Sequence, residues 1–324
     1  YWAATEFPMA DSIIILDRAR VQGCERRLLR VPKLRGRPHL SGAQTFTIDS
    51  AGLHVYPCFE AILPQGRAPI SQRREPFGVP GLDRLLGGGL LEGSSTLVAG
   101  SPGTGKSVLA THFLAEGVRQ GMPSLHLCLF DSQERFLQHA EGFGLPLPEA
   151  SRAGLLEVEV YEPGRWNPDA CAERILRAVE ERGIRRLAID SLDPLERDLE
   201  ASGRTLNFMA ALVEHLQRQG VTSLFTYELP GLVTEVVPFP APVVGQVTTN
   251  LILLRFGELE GRLRRLLTVI KTRYTQHSTR IAELLLEEGA LEVVPHPSEK
   301  EGEIPTAVYY GERRGQHEGE RLRP

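Results

Sequence analysis

The chain has 324 residues, enough for two domains or for one large domain plus a further piece, and 41% hydrophobic residues exclude disorder throughout. Its 37 Lys and Arg against 41 Asp and Glu leave a net charge of −4, so no global positive field exists to hold nucleic acid. The longest uninterrupted apolar run, residues 208–213, is far short of the roughly 20 residues a membrane-crossing helix needs. Cys24, Cys58, Cys128 and Cys171 are too scattered for a zinc site or a disulfide framework, which suits a reducing cytoplasm.

In chain order the first feature is a repeat. Residues 11–39 match 249–277 without a gap at an offset of 238, with 11 of 29 positions identical. The identities include Gly23/Gly261, the runs Arg26-Arg27-Leu28-Leu29 and Arg264-Arg265-Leu266-Leu267, Lys33/Lys271, Arg35/Arg273 and His39/His277. Each copy continues into an alternating stretch with a Gly-containing turn (45–55 and 282–293), the pattern of a strand, a hairpin and a further strand pair. Residues 1–66 are therefore expected to be the C-terminal remnant of a first unit whose beginning lies before Tyr1. Lacking a core of their own, they are expected to dock on the second unit. Residues 64–76 have linker composition, 67–296 should form the complete unit, and the charged 297–324 a mobile tail.

From residue 95 onward strand-like and helix-like segments alternate. Strands at 96–99, 125–130, 155–161 and 186–190 precede helices near 105–119, 133–142, 168–182 and 203–219, and a strand at 221–227 follows. Gly121, Gly183 and Gly220 stand where helices should stop. This order predicts an α/β fold with a mainly parallel sheet covered by helices on both faces and extended by the antiparallel strands of the repeat.

At the first strand-to-helix junction, Gly100-Ser101-Pro102-Gly103-Thr104-Gly105-Lys106-Ser107 matches the phosphate-loop pattern G-x-x-x-x-G-K-[ST]. Its glycines let successive backbone N–H groups converge on phosphate oxygens, and the helix start, through Val108, adds a favourable dipole. Lys106 should reach the β- and γ-phosphates, and the Ser107 hydroxyl should ligate Mg²⁺, so ATP and Mg²⁺ are the expected ligands. A second metal-binding group is expected at Asp190, the acid that ends the apolar run Leu187-Ala188-Ile189.

The segment from Phe77 to Leu90 (FGVPGLDRLLGGGL), the phosphate loop, Ile189-Asp190-Ser191-Leu192 and the pattern Arg264, Arg265, Val269, Lys271, Arg273, His277 together resemble the KaiC-like branch of the RecA-type P-loop ATPases, over nearly all of 10–296. The resemblance implies a RecA-like fold and a homo-oligomeric, commonly hexameric ring with ATP between adjacent subunits. It also implies regulatory protein partners and a part in a circadian-clock-like or signalling system. Lys271 and Arg273 would then reach a neighbour's phosphates and stabilise charge during phosphoryl transfer; without the resemblance they read as a solvated hairpin. Lys33 and Arg35 would be the equivalent pair of the first unit, facing nothing. His39 and His277 fit a structural role as well as a ligand's.

Departures from the family pattern bear on activity. Where the family carries two adjacent glutamates after its second strand, this chain has Phe130 and Asp131. Phe130 cannot act as a base. Asp131 is the candidate base of a slow ATPase, its alternative role being to cap the helix that follows, with Glu134 as the fallback acid. The Ser-Thr pair that some relatives phosphorylate falls on Gly245 and Gln246, leaving Thr248 and Thr249 as the nearby hydroxyls. Thr226 and Glu228 stand where the γ-phosphate could be sensed, or merely at the end of a buried strand. Two other readings stay open: a RecA-like DNA-dependent ATPase, using the eight Arg or Lys among residues 18–37, and an ATP-binding scaffold that does not hydrolyse.

Overall fold

The computed structural model describes residues 9–21, 24–63, 69, 71–129, 131–161, 167–229, 242–259, 261–287 and 289–295. Phe130 and the expected tail 297–324 lie outside the described residues. The chain begins with a four-stranded antiparallel sheet, β1 (Ser12–Val21), β2 (Cys24–Leu34), β3 (Ala43–Asp49) and β4 (Gly52–Tyr56), followed by the single-turn α1 (Phe59–Ile62). A small ladder of β5 (Arg74–Glu75) and β6 (Leu90–Leu91) brackets α2 (Pro80–Leu85). The α/β run then comprises β7 (Ser95–Gly100), α3 (Lys106–Arg119), β8 (Ser124–Cys128), α4 (Gln133–Gly142), α5 (Leu147–Arg152), β9 (Leu156–Val160), α6 (Pro168–Arg182), β10 (Arg186–Asp190), α7 (Asp193–Glu200), α8 (Thr205–Arg218) and β11 (Thr222–Glu228). It closes with α9 (Pro242–Val247), β12 (Asn250–Leu259), β13 (Arg262–Thr272), β14 (Ala282–Glu287) and β15 (Ala290–Pro295).

These strands build a nine-stranded sheet in the order β15-β14-β13-β12-β7-β11-β10-β8-β9. The six strands from β12 to β9 are parallel, and β13 to β15 extend them antiparallel. A parallel strand covered on both faces is buried along its whole length, and every residue of β7 is buried, the polar Ser95 and Thr96 being hydrogen-bonded to Thr249 and Asn250. Its alternate side chains feed two cores: Leu97 and Ala99 pack with residues of α6 and α8, and Val98 with residues of α3. Gly183, at φ +65, ends α6 in the left-handed conformation a side chain would resist. Between β7 and β11 two helices escape the sequence pattern, α5 and α7, each with a proline in its first turn, and the short α1, α2 and α9 outside that run escape it too.

Beneath the α/β layer, Arg186 is fully buried. It donates to the Phe113 carbonyl at 2.6 Å and the Pro76 carbonyl at 2.7 Å, and lies 4.7 Å from the Phe113 ring centroid. Glu75, 4.0 Å away, accepts the Thr222 hydroxyl at 2.8 Å. Burial lowers the Arg186 pKa, against the pull of Glu75, Glu116 and Asp83. One side chain thus ties the entry segment to α3 and to β10.

The repeat is reproduced in strand register. Val21↔Cys24 and Leu16↔Leu29 in β1–β2 correspond to Leu259↔Arg262 and Leu254↔Leu267 in β12–β13, and both hairpins slip register just after Ile13 and its counterpart Leu251. Likewise Asp49↔Gly52 in β3–β4 corresponds to Glu287↔Ala290 in β14–β15. Burial separates the copies: Ile14 and Leu16 are 63% and 58% exposed, whereas Ile252 and Leu254 are 0% and 1% exposed. The difference follows from neighbours, since β12 pairs with β7 and packs on the α3 core, while β1 is the edge of its own sheet.

The first sheet nevertheless docks on the α/β unit. Arg204, at the start of α8, donates to Glu60 at 2.7 and 2.6 Å and to Asp169 at 3.0 and 2.6 Å. Asp169 also accepts the Phe59 amide at 3.0 Å, and the Phe59 ring packs 5.1 Å from that of Phe208. Arg26 of β2 pairs with Asp198 of α7 at 2.6 Å. Cys58, Glu60 and Asp169 lie close enough for a metal ion, but the Arg204 guanidinium already occupies both carboxylates, and burial raises the Cys58 thiol to about 11. Among the described residues no helix is long and apolar enough to cross a membrane.

Candidate functional site

The loop between β7 and α3 rises from the C-terminal edge of the parallel sheet, where the backbone leaves the ladder and its N–H groups are free to turn inward. Gly103 (φ +77) and Gly105 (φ +102) take conformations that side chains resist. A Cβ on Gly100 would come within 2.6 Å of the Leu254 carbonyl, so β12 abuts the base of the loop. Thr104 braces it by donating to the Ser101 carbonyl at 2.7 Å. Lys106 is buried, its Nζ donating to the Gly100 and Ser101 carbonyls at 2.8 and 3.0 Å. Burial lowers its pKa, and Glu228, Asp190 and Asp193 oppose that shift. The ammonium is thus held over the loop among carboxylates. Ser107 is exposed at the first turn of α3, and Val108 is buried behind it in the α3 core.

Asp190 stands at the tip of β10, with β11 between it and the loop strand. The Thr226 hydroxyl donates to Asp190 Oδ1 at 2.5 Å, so Thr226 orients the carboxylate. Ser191 donates to Asp193 at 2.6 Å, and Asp193 receives the Glu228 amide. A serine hydroxyl and a carboxylate are the hard oxygen donors that Mg²⁺ prefers, and the glycine cradle admits phosphate oxygens, so Ser107, Asp190 and residues 100–106 fit a magnesium-bound nucleotide.

Asp131 lies on the turn between β8 and α4. Its carboxylate is half-exposed, accepts the Ser132 amide at 2.9 Å and sits 3.9 Å from Arg135. The helix cap is Ser132, whose hydroxyl accepts the Arg135 amide, so the capping role considered for Asp131 falls to its neighbour. Cys128, at the end of β8, is the register partner of Asp190, which places the Asp131 turn and the β10 tip side by side. Glu134 is exposed on α4.

Lys271 and Arg273 lie elsewhere. Lys271 pairs with Leu251, which pairs with Leu97, whereas the loop residue Gly100 pairs with Leu254. That separation is three residues, roughly 10 Å along the strands. Within its own chain Lys271 Nζ donates to the Gly245 and Thr248 carbonyls at 2.6 and 2.7 Å, and Arg273 to the Gln246 carbonyl. Both cations therefore cap the end of α9, and burial, with Arg273 nearby, lowers Lys271 to about 8.

His277 accepts or donates at the Thr272 hydroxyl at 2.8 Å, a structural contact, and His39 is exposed. Arg35 pairs with Asp11 at 3.3 Å and Lys33 also has a partner, so neither faces nothing. Thr248 and Thr249 are buried, Thr248 bonded to the Val244 carbonyl and Thr249 to Ser95. Their hydroxyls are closed to phosphorylation in this arrangement.

Arg265 is a site residue that the sequence reading passed over. Its Nε donates to the Gly103 carbonyl at 3.0 Å, beside the Phe256 ring. It was visible as part of the repeated Arg-Arg-Leu-Leu run and of the family pattern, with no role attached.

A glycine cradle between a buried strand and a helix, a lysine folded over it, and a carboxylate at the tip of the next strand but one define a P-loop domain of the RecA-like class. A sequence profile of the KaiC ATPase family matches residues 76–298. The chain belongs to that family. It is 29% identical over 286 residues to the circadian clock protein KaiC3 of a Synechocystis strain, covering 88% of this chain and 56% of that protein. The circadian clock oscillator protein KaiC of a Picosynechococcus strain is 28% identical over 286 residues, covering 87% and 54% respectively. The chain thus spans about half the length of these relatives.

Proposed function

We propose that the chain binds Mg-ATP at residues 100–108 with Ser107 and Asp190, and hydrolyses it slowly as a regulatory ring protein whose sites are completed between subunits. The observation that carries this reading is the buried Lys106 ammonium, aimed across the phosphate loop and surrounded by Asp190, Asp193 and Glu228. Lys106 and the loop amides would bind the phosphates, and Arg265 would steady the loop at Gly103. When bound, Mg²⁺ offsets charge on the phosphate oxygens. Asp131 would take a proton from water as the water oxygen bonds to the γ-phosphorus and the bond to the bridging oxygen breaks, releasing ADP and phosphate. A carboxylate one methylene shorter than glutamate holds the water less well, hence a slow rate.

Lys271 and Arg273 stand too far along the sheet to serve the loop of their own chain, which supports a neighbour's site as their target. The two-copy register supports reading β1–β4 as the closing strands of a preceding unit of the same fold, whose α/β half would cover Ile14 and Leu16. A part in timing or signalling is suggested by the names of the relatives alone. DNA binding is disfavoured, since Arg18, Arg26, Arg30 and Arg35 are paired with acids of the same chain. Calorimetry with Mg-ATP, a turnover assay against Lys106→Ala, and sedimentation with and without nucleotide test the reading. Heat on binding, loss of turnover in the variant and nucleotide-driven assembly are expected; absence of binding heat refutes it.

A further inference from the structure

Cys128 closes β8 with its side chain buried directly under the Asp131 turn. Its sulfur accepts the Asp131 amide at 3.2 Å and donates to the Asp131 carbonyl at 3.3 Å. One side chain thus satisfies both backbone polar groups of the residue read above as the base, using the single donor and the acceptor that a thiol possesses. Cys128 is itself fixed from two sides. Its carbonyl accepts the Tyr161 amide at 2.7 Å, and the next amide, that of Leu129, donates to the Asp190 carbonyl at 3.0 Å. The thiol therefore connects the Asp131 turn to the strand that ends in the metal-binding carboxylate. On the solvent side, among the described residues, Asp131 is held by the Ser132 amide and by Arg135 at 3.9 Å.

We propose that Cys128 is a positioning residue for hydrolysis, fixing the Asp131 carboxylate beside the phosphate site through the paired thiol contacts to the Asp131 backbone. The inference rests on the reading of Asp131 as the base. Removing the sulfur frees an amide and a carbonyl at the edge of the site, and a displacement of about 1 Å in a reacting group can cost on the order of 100-fold in rate. Serine keeps one donor and an acceptor at the same place, with a shorter reach, and alanine keeps neither.

The test is a cycle of Cys128→Ala, Cys128→Ser, Asp131→Asn and Cys128→Ala/Asp131→Asn, measured by steady-state Mg-ATP hydrolysis. Cys128→Ala should lower kcat by about tenfold with KM for ATP unchanged, and Cys128→Ser should recover most of the loss. In the Asp131→Asn background Cys128→Ala should cost nothing further. Equal losses from Cys128→Ala in both backgrounds, a raised KM in place of a lowered kcat, or serine as slow as alanine overturn the positioning role. If Asp131→Asn leaves kcat unchanged, the base assignment falls and this inference with it. If Asp131→Asn slows turnover and Cys128→Ala does not, only the positioning role falls. Amide hydrogen exchange over residues 129–133 gives a reading independent of turnover. Protection of the Asp131 amide should drop in the alanine variant and persist in the serine variant, and equal exchange in both refutes the contact.

Discussion

Replacing Arg204 by methionine removes four charged donor contacts of 2.6 to 3.0 Å while keeping most of the apolar stem. The side chains are largely withdrawn from water, at 22% exposure for Arg204, 16% for Glu60 and 2% for Asp169. Among the described residues, loss of the guanidinium leaves Asp169 with the Phe59 amide as its support at this junction. Stranding a buried charge in this way costs about 3–5 kcal/mol. Docking of the first sheet should then weaken by about 3 kcal/mol, which is roughly a 150-fold increase in the opening equilibrium. Native-state hydrogen exchange of residues 59–63, together with limited proteolysis after residue 63, measures it. Arg204→Lys keeps the charge without the planar fork and should give about half the effect. Exchange within about threefold of the parent chain would refute the clamp. A uniform loss of stability across the α/β unit, with no selective opening, would instead make Arg204 a prop of α8.

Acid should loosen the same junction. Burial raises the Glu60 pKa, but the Arg204 hydrogen bonds prevail and hold it below 4.5, so the stabilisation is present above that value and is lost as pH falls through the depressed one; an acid titration of the protection factor shows it, and an unchanged protection factor below pH 4.5 contradicts it. His112 is buried neutral, pushed down to about 4 by burial and then by Arg119, and His126 is lowered in the same direction. Each favours the folded state above its unfolded value near 6.5, so His112→Gln should flatten the fall in stability between pH 6.5 and 4, measured by denaturant titration. Gly117→Ala would gain roughly 1 kcal/mol of helix propensity, yet its Cβ would stand 2.5 Å from Arg186 Cδ, so a net loss of about 1–3 kcal/mol is expected in thermal melts. Tyr274 is exposed at φ +70, where its counterpart in the first copy is Gly36 at φ +76; Tyr274→Gly should stabilise the chain by about 1 kcal/mol, and no gain would show that the tyrosine ring makes compensating contacts.

The phosphate loop, the strand tip at Asp190 and the repeat were legible because each is local: a spacing, a periodicity or a fixed offset. The boundaries of α3, α4 and α6 followed from glycines and apolar spacing. What escaped depends on contacts between residues far apart in sequence. Arg204 meets Glu60 across 144 positions, and Arg265 meets Gly103 across 162. Nothing around Arg204 marks it out from the other arginines, and the repeated run that contains Arg265 does not say what its side chain touches. The helix start at Ser132 was ambiguous for a different reason, since Asp and Ser are both good caps and only the backbone angles decide between them. Lys271 and Arg273 were legible as a basic pair but not as the pair that holds the end of α9, because carbonyl oxygens leave no trace in the residue code.

The Lys271–Arg273 strand end lies roughly 10 Å along the sheet from the phosphate loop, so on the proposed reading each molecule has an acceptor site and a separate donor end. A twofold pairing would serve both sites only if they lay on one face, each meeting its opposite number on the other copy. If instead the donor end of one copy serves the acceptor site of the next, contacts must run head to tail, and such an array has a direction. It either closes on itself after a fixed number of steps or grows without limit, and the angle between successive copies decides which.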